Sequence, residues 1–304
     1  MIRYFFKRLL HGVPVLIVVA TLTFFIMRTV PGGPFDTEKK LPPEIIANIE
    51  AKYHLDKSPT EQYLLYLKAL AQGDLGPSYK YIGRDVSNII GDTFPVSIAL
   101  GLSALLVVVA FGVPCGIAGA YWRGSPIDRI VVFFATLGIS VPSFVLGALL
   151  VWAFAHQFHW FPPALWESSH HAILPALALG APFAGYIARL TRTSVLDVLS
   201  ADYIRTARAK GLSEPTILFK HVLKNSLSPI VSVLGPLTAG LVTGSFVIEF
   251  IFSIPGMGRF FITAVTNRDY PLIMGVTLVY SVLIVLANII VDMIYAWLDP
   301  RVQV

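Results

Sequence analysis

Long apolar runs separated by shorter polar stretches dominate this chain. They predict six membrane-spanning helices, near residues 9–29, 97–121, 130–155, 172–192, 229–251 and 272–296. Each run exceeds the roughly 18 apolar residues that a helix needs to cross a bilayer. The pattern therefore predicts an all-α integral membrane protein with six transmembrane helices.

The composition supports this class of protein. Of the 304 residues, 55% are hydrophobic and 13% are charged, whereas an average soluble domain carries about 25% charged residues. The mean hydropathy is +0.71. These values exclude a disordered chain and an ordinary soluble enzyme, and the single cysteine, Cys115, excludes a disulfide framework.

Lys and Arg residues are distributed unevenly between the predicted loops. Seven of them lie between Arg189 and Lys224, whereas the two short loops on the other side carry only Arg259 and Arg268. Because basic residues concentrate on the cytoplasmic side of membrane proteins, we expect both termini in the cytoplasm. The same asymmetry explains the net charge of +5 without a nucleic-acid partner.

The chain divides into three parts: an N-terminal transmembrane helix (1–29), an extracytoplasmic helical segment (30–94) and a transmembrane domain (95–296). In the middle part, Ser58 and Glu61 match a capping box with Pro59 in the first turn, and Gly73 ends the predicted helix. An earlier helix is expected to start at Pro42–Pro43. These two helices either cap the protein or contact a partner.

The cytoplasmic loop at about 200–226 has the most defined pattern. It predicts one helix that ends at Gly211 and a second that Ser213 caps, with Glu214 and Pro215 in its first turn. Apolar residues follow one side of the two helices: Tyr203, Ile204, Ala207, Ile217, Leu218 and Val222. Such a loop either lies among lipid headgroups or fits a groove on a soluble partner. The glycine stop and the cap favour the second interpretation.

The fifth predicted span contains an ionisable residue close to a predicted helix break. Ionisable groups are costly at membrane depth unless they face protein or water. Glu249 lies near the outer end of the fifth span, where Ser253–Gly256 predicts a helix break. Irregular backbone at that depth is tolerated where it lines a cavity, so we expect Glu249, Ser245 and Pro142 on a translocation path.

Other chemistry is not expected. The chain contains no phosphate-binding loop, zinc helix or nucleophile elbow, so neither a catalytic residue nor a metal site is predicted. Glycines at or within spans are expected to allow close helix contacts rather than catalysis. These glycines are Gly12, Gly101, Gly112, Gly116, Gly119 and Gly138.

The cytoplasmic loop resembles that of a known family, the permease subunits of ATP-binding-cassette (ABC) importers. Their motif runs Glu-Ala-Ala, three residues, Gly, nine residues, Ile, one residue, Leu-Pro. The aligned positions here are Arg205-Thr206-Ala207, Gly211, His221, Leu223 and Lys224, of which Ala207, Gly211 and Leu223 match. Tyr203–Leu212, Gly138–Phe144, Ile254–Gly258 and Asn267–Tyr270 are similar to the oligopeptide and dipeptide permease branch.

The resemblance implies a type I ABC importer transmembrane domain in a bacterial inner membrane. Its expected partners are a second homologous permease, two cytoplasmic ATPases that hold ATP and magnesium, and an extracytoplasmic peptide-binding protein; this chain binds no cofactor itself. The resemblance places the ATPase-coupling loop at Arg205, Thr206, Ala207, Gly211, Ser213, Glu214, Ile217, Leu218, His221 and Leu223.

Several alternatives remain open from the sequence. The cargo is expected to be an oligopeptide, with dipeptides, glutathione or a nickel chelate as alternatives within the same machinery. An intramembrane enzyme and a non-transporting receptor or scaffold are alternatives of other classes. The Pro and Gly residues at 138–142 and 254–258 either act as hinges or only shape helix ends.

Overall fold

A computed structural model describes residues 2–30, 32–35 and 43–298, and these form helices and loops without a strand. In chain order the helices are α1 (Ile2–Thr29), α2 (Pro43–Lys52), α3 (Pro59–Ala71), α4 (Val86–Tyr121), α5 (Pro126–Ser140), α6 (Ser143–Gln157), α7 (Ser169–Leu199), α8 (Asp202–Ala209), α9 (Glu214–Ser226), α10 (Ser228–Val242), α11 (Phe246–Ile251), α12 (Met257–Asn267) and α13 (Tyr270–Leu298).

The long apolar helices confirm the membrane-protein prediction. Helices α1, α4, α7 and α13 are each long and apolar enough to cross a bilayer. Two bent helix pairs pass the same test of length and composition when each pair is counted as one span: α5 with α6, bent by 109°, and α9 with α10, bent by 50°. The described part of the chain therefore contains up to six spans, as the hydropathy predicts.

Two predicted spans are less regular than the hydropathy suggests. The third breaks after Ser140, because Val141 precedes Pro142 and adopts an extended conformation (ψ 123°). The fifth, predicted as one helix over 229–251, is interrupted between α10 and α11, where Gly244 has a φ of +90°. Apolar composition alone does not distinguish a continuous helix from two shorter ones.

Helix α7 lies at the centre of the transmembrane core. Its buried residues Leu174, Ala178 and Ile187 belong to the same apolar cluster as Leu100 and residues of α10 and α11. Close approach to α4 depends on glycine, as predicted. A Cβ at Gly116 would lie only 2.5 Å from the Ala188 carbonyl oxygen, so a larger residue there would separate the two helices.

An ion pair joins α5 to α7. The guanidinium of Arg192 donates two hydrogen bonds to the Asp128 carboxylate, at 2.6 and 2.9 Å. The Gly124 amide also donates to this carboxylate, at 2.9 Å. The Asp128 side chain is 8% exposed and that of Arg192 24%. This bidentate geometry fixes the start of α5 against the end of α7.

The segment between α1 and α4 folds as the sequence predicts in its second half. Ser58 and Glu61 form the expected capping box, and α3 ends just before Gly73, whose φ is +75°. Helix α2 begins at Pro43, whereas Pro42 lies outside the described residues. Neighbouring aromatic rings join these helices to α1 and α13: Phe24, Tyr53, Tyr63, Tyr66, Tyr79 and Tyr270.

Most of these rings are partly or fully buried, which affects their chemistry. Burial raises the pKa of both Tyr66 and Tyr79 to about 12. Both phenols therefore stay neutral at physiological pH, and packing rather than phenolate charge holds the segment between α1 and α4 together.

Candidate functional site

The two helices of the loop, α8 and α9, pack their apolar sides against the ends of α4 and α7. Each fully buried aliphatic side chain in such a contact contributes about 1.5–3 kcal/mol. The buried cluster comprises Ile204, Ala207, Ile217, Val222, Ala120 and Val195. The loop is thus a folded unit anchored on two spans. Tyr203 departs from the prediction, since it is 45% exposed.

A π-helical stretch in α9 determines which residues face inward. Residues Ile217–Val222 form this stretch, in which residues five apart in sequence come to lie one turn apart. Ile217 and Val222 are consequently both buried, whereas Phe219 between them is 70% exposed. The loop therefore presents a large apolar ring away from its own core.

Gly211 makes the turn between α8 and α9. Its φ is +80° and no atom lies within 4 Å of the place that a Cβ would occupy. Its amide donates to the Arg208 carbonyl at 2.9 Å, and the Leu212 amide donates to the Ala207 carbonyl at 3.3 Å. This is the left-handed glycine stop that the sequence predicts.

Polar contacts hold the two loop helices together. The guanidinium of Arg208 donates to both carboxylate oxygens of Glu214, at 2.8 and 3.3 Å. The Asn225 amide donates to the Tyr203 hydroxyl at 3.0 Å. Exposed ion pairs add little to stability, but this bidentate pair links the end of α8 to the start of α9.

Ser213 differs in detail from its predicted role. It occupies the N-cap position of α9, yet its side chain does not cap a backbone amide. Its hydroxyl lies 2.8 Å from the Thr216 hydroxyl instead. The expected side-chain cap is therefore wrong, because the two hydroxyls satisfy one another.

The remaining predicted loop residues occupy two environments. Arg205 and Thr206 are exposed; Arg205 pairs with Asp202, and the Thr206 hydroxyl donates to the Asp202 carbonyl oxygen. Leu218, His221 and Leu223 are half-buried.

Sequence reasoning missed the exposed apolar tip of the loop. Phe219 and Leu212 are 70% and 39% exposed, and Pro215 beside them is also exposed. The amphipathic pattern marks only the apolar residues of the inner face, so it does not mark Phe219 and Leu212 as a contact surface. The sequence feature that could have identified them is that they are apolar but lie outside the periodic apolar positions of the two loop helices.

The structure places Glu249 in a closed environment. The side chain is fully buried, and its Oε2 accepts hydrogen bonds from the amides of Gly258 at 2.7 Å and Arg259 at 3.3 Å. These amides belong to the first turn of α12, so the carboxylate caps that helix. The predicted break at 253–256 is present, and Glu249 joins its two sides.

Ser245 and Pro142 each lie at a break in a span. The Ser245 hydroxyl accepts from the Ile248 amide at 3.3 Å and caps α11. Pro142 is exposed at the junction of α5 and α6. Helix α6 approaches the break after α11, since a Cβ at Gly147 would lie 3.1 Å from the Phe252 ring. The two interrupted regions are therefore neighbours.

Two family profiles match most of the chain. Residues 112–304 match the profile described as "Binding-protein-dependent transport system inner membrane component". Residues 1–101 match the profile of the N-terminal part of the same membrane component.

Curated relatives are similar over their full length. The oligopeptide transport system permease protein OppB of Haemophilus influenzae is 44% identical over 305 residues, which cover 100% of both chains. The dipeptide transport system permease protein DppB of Bacillus subtilis is also 44% identical, over 303 residues that cover 100% of this chain and 98% of the relative.

Solved structures share the fold at low sequence identity. An amino acid ABC transporter matches with a TM-score of 0.55 and 16% identity, over 68% of this chain and 93% of the other. The inward-facing MetNI methionine ABC transporter matches with a TM-score of 0.52 and 18% identity, over 67% and 95% of the respective chains. The profile matches and the full-length relatives show that the chain belongs to the family of inner membrane components of binding-protein-dependent transport systems.

Proposed function

We propose that this chain is the permease subunit of an ATP-driven importer that moves oligopeptides across a bacterial cytoplasmic membrane. The observation that carries the proposal is the folded loop formed by α8 and α9, anchored through buried contacts on α4 and α7. Its exposed face offers Phe219, Leu212 and Pro215 to a soluble partner. Full-length similarity to an oligopeptide permease supports the choice of cargo.

The loop couples a partner's motion to the spans because it is fixed to them. Two cytoplasmic ATPases hold ATP and magnesium, and they displace the loop when they close. Since Ile204 and Ile217 are buried against α4 and α7, the spans follow the loop as a unit. The transmembrane domain then alternates between inward and outward openings.

The complete assembly contains further proteins. A second, homologous permease forms the path together with this chain, and an extracytoplasmic binding protein delivers the peptide. Both termini of this chain lie in the cytoplasm, which agrees with the concentration of Lys and Arg in the loop between α7 and α10.

The interrupted spans shape the translocation path. Backbone that is not helical at membrane depth is tolerated only where protein or water satisfies it. Pro142, Ser245 and Glu249 lie at or beside such interruptions. Glu249 and Ser245 cap short helices, so we expect these residues to define the geometry of the path's wall.

Replacing Phe219 with aspartate tests the loop's docking face. We expect ATP-dependent uptake to fall about tenfold or more, because a charge replaces an apolar anchor at the centre of the contact. The amount of protein in the membrane should not change, since the side chain is 70% exposed. Uptake in proteoliposomes is measured beside the amount of membrane-inserted protein, and copurification with the ATPases tests the contact itself.

Phe219→Leu is the matched control and should retain most of the uptake. If Phe219→Asp still copurifies with the ATPases and transports at the wild-type rate, then the docking face lies elsewhere on the loop.

A direct test of cargo uses labelled di- and pentapeptides. Liposomes would hold this chain, its companion permease and the ATPases, with ATP inside and the binding protein outside. ATP-dependent accumulation of pentapeptide would support oligopeptide import. Uptake of dipeptide alone would favour the second candidate, a dipeptide permease, which the equal similarity to DppB suggests. If neither peptide enters, the proposed cargo is wrong.

A further inference from the structure

One apolar side chain on the outer segment is far more exposed than the others. Ile82 is 93% exposed, the largest value among the exposed large hydrophobic residues that the structure describes. It lies in a β-turn from Tyr81 to Arg84, which the hydrogen bond from the Arg84 amide to the Tyr81 carbonyl closes at 3.0 Å. Gly83 has a φ of +78°, as the third position of a type II turn requires.

Asp269 holds the chain segment that leads into the turn. This carboxylate is fully buried and accepts hydrogen bonds from the Ser78 hydroxyl and from the amides of Tyr79 at 3.1 Å and Lys80 at 3.4 Å. The Tyr81 ring also packs against Phe260, with 5.5 Å between centroids. A fixed turn binds a partner with little loss of conformational entropy.

The surface beside Ile82 is polar rather than lipid-like. The exposed residues on the first two turns of α4 are Ser87, Asn88, Gly91 and Asp92. Arg84 and Asp92 form an ion pair on this face. A surface that faced acyl chains would not carry these groups, so the turn lies in water at the outer end of α4.

We propose that this turn, residues 81–84, is a docking knob for the extracytoplasmic binding protein. Ile82 inserts into an apolar depression on the partner, and the Arg84–Asp92 pair provides charges of both signs for a polar rim around it. The partner that receives this knob is a lobe of a soluble protein, because the knob projects from a polar surface. The inference rests on the proposed function, which supplies such a partner.

The test is a titration of the complete assembly with the peptide-loaded binding protein. For Ile82→Asp, the binding-protein concentration that gives half-maximal ATPase stimulation should rise about tenfold or more. The stimulated rate at saturation should be unchanged, because the knob contributes to binding and not to hydrolysis. Leu64→Asp, at a residue of α3 that is 60% exposed, is the matched control and should titrate like the wild type.

Several outcomes would overturn the docking knob. One is that the wild-type assembly responds to the binding protein and the Ile82→Asp assembly titrates in the same way. Another is that Ile82→Asp fails to copurify with the companion permease, which would place the turn in the subunit interface. A polarity-sensitive dye on Ile82→Cys, in a Cys115→Ser background, should respond to the binding protein alone; a response to lipid reconstitution would place the turn in headgroups. A wild-type assembly that ignores the binding protein would overturn the proposed function as well.

Discussion

Replacing Gly211 with proline is expected to abolish ATP-driven uptake while the chain still inserts into the membrane. Proline holds φ near −65° and has no amide hydrogen, whereas Gly211 has a φ of +80° and donates to the Arg208 carbonyl. The turn between α8 and α9 would open, and the docking face would lose its shape. The measurement is peptide uptake in proteoliposomes beside the amount of membrane-inserted protein.

Gly211→Asn is the matched control for this change. Asparagine tolerates the left-handed conformation better than other non-glycine residues, and no atom lies within 4 Å of a Cβ placed here. This variant should therefore keep most of the uptake. If the proline and asparagine variants both transport at the wild-type rate, then the turn does not couple ATP hydrolysis to transport.

The predictable features of this protein are those that depend on residues close together in sequence. The capping box at Ser58 and Glu61 requires only two side chains three positions apart, and it forms as expected. The stop at Gly211 depends on one residue's tolerance of a positive φ. The long spans depend on continuous apolar runs, because a helix that crosses the bilayer must be apolar over its whole length.

Features that depend on distant contacts could not be predicted in this way. Nothing near Asp128 identifies its partner Arg192, which lies 64 positions later. Residues Ile217–Val222 form a π-helical stretch, which a 3.6-residue period does not anticipate. The interruption at Gly244 lies within an apolar run, so hydropathy predicts a continuous helix there.

Three buried carboxylates have related roles at the joints of the fold. Asp128, Glu249 and Asp269 each accept a backbone amide at or beside the start of a helix. A buried charge is stable only with such partners. In a membrane protein the non-helical joints also need acceptors for their free amides. Each carboxylate therefore accepts hydrogen bonds from free backbone amides at a non-helical connection and fixes the segments that meet there.

Replacing Glu249 with alanine is expected to eliminate transport and to lower the stability of the assembly. The amides of Gly258 and Arg259 would lose their common acceptor inside the protein, at a cost of about 1–3 kcal/mol for each unsatisfied donor. The start of α12 would then detach from α11. Thermal unfolding of the purified assembly and peptide uptake measure the two effects.

Glu249→Gln separates the capping role from a role of the charge itself. The glutamine side-chain oxygen can still accept from the Gly258 amide, so we expect this variant to regain most of the stability and uptake that alanine loses. A glutamine variant that is as stable as the wild type but does not transport would contradict this expectation. In that case the carboxylate charge, and not the cap on α12, would be what the translocation path requires.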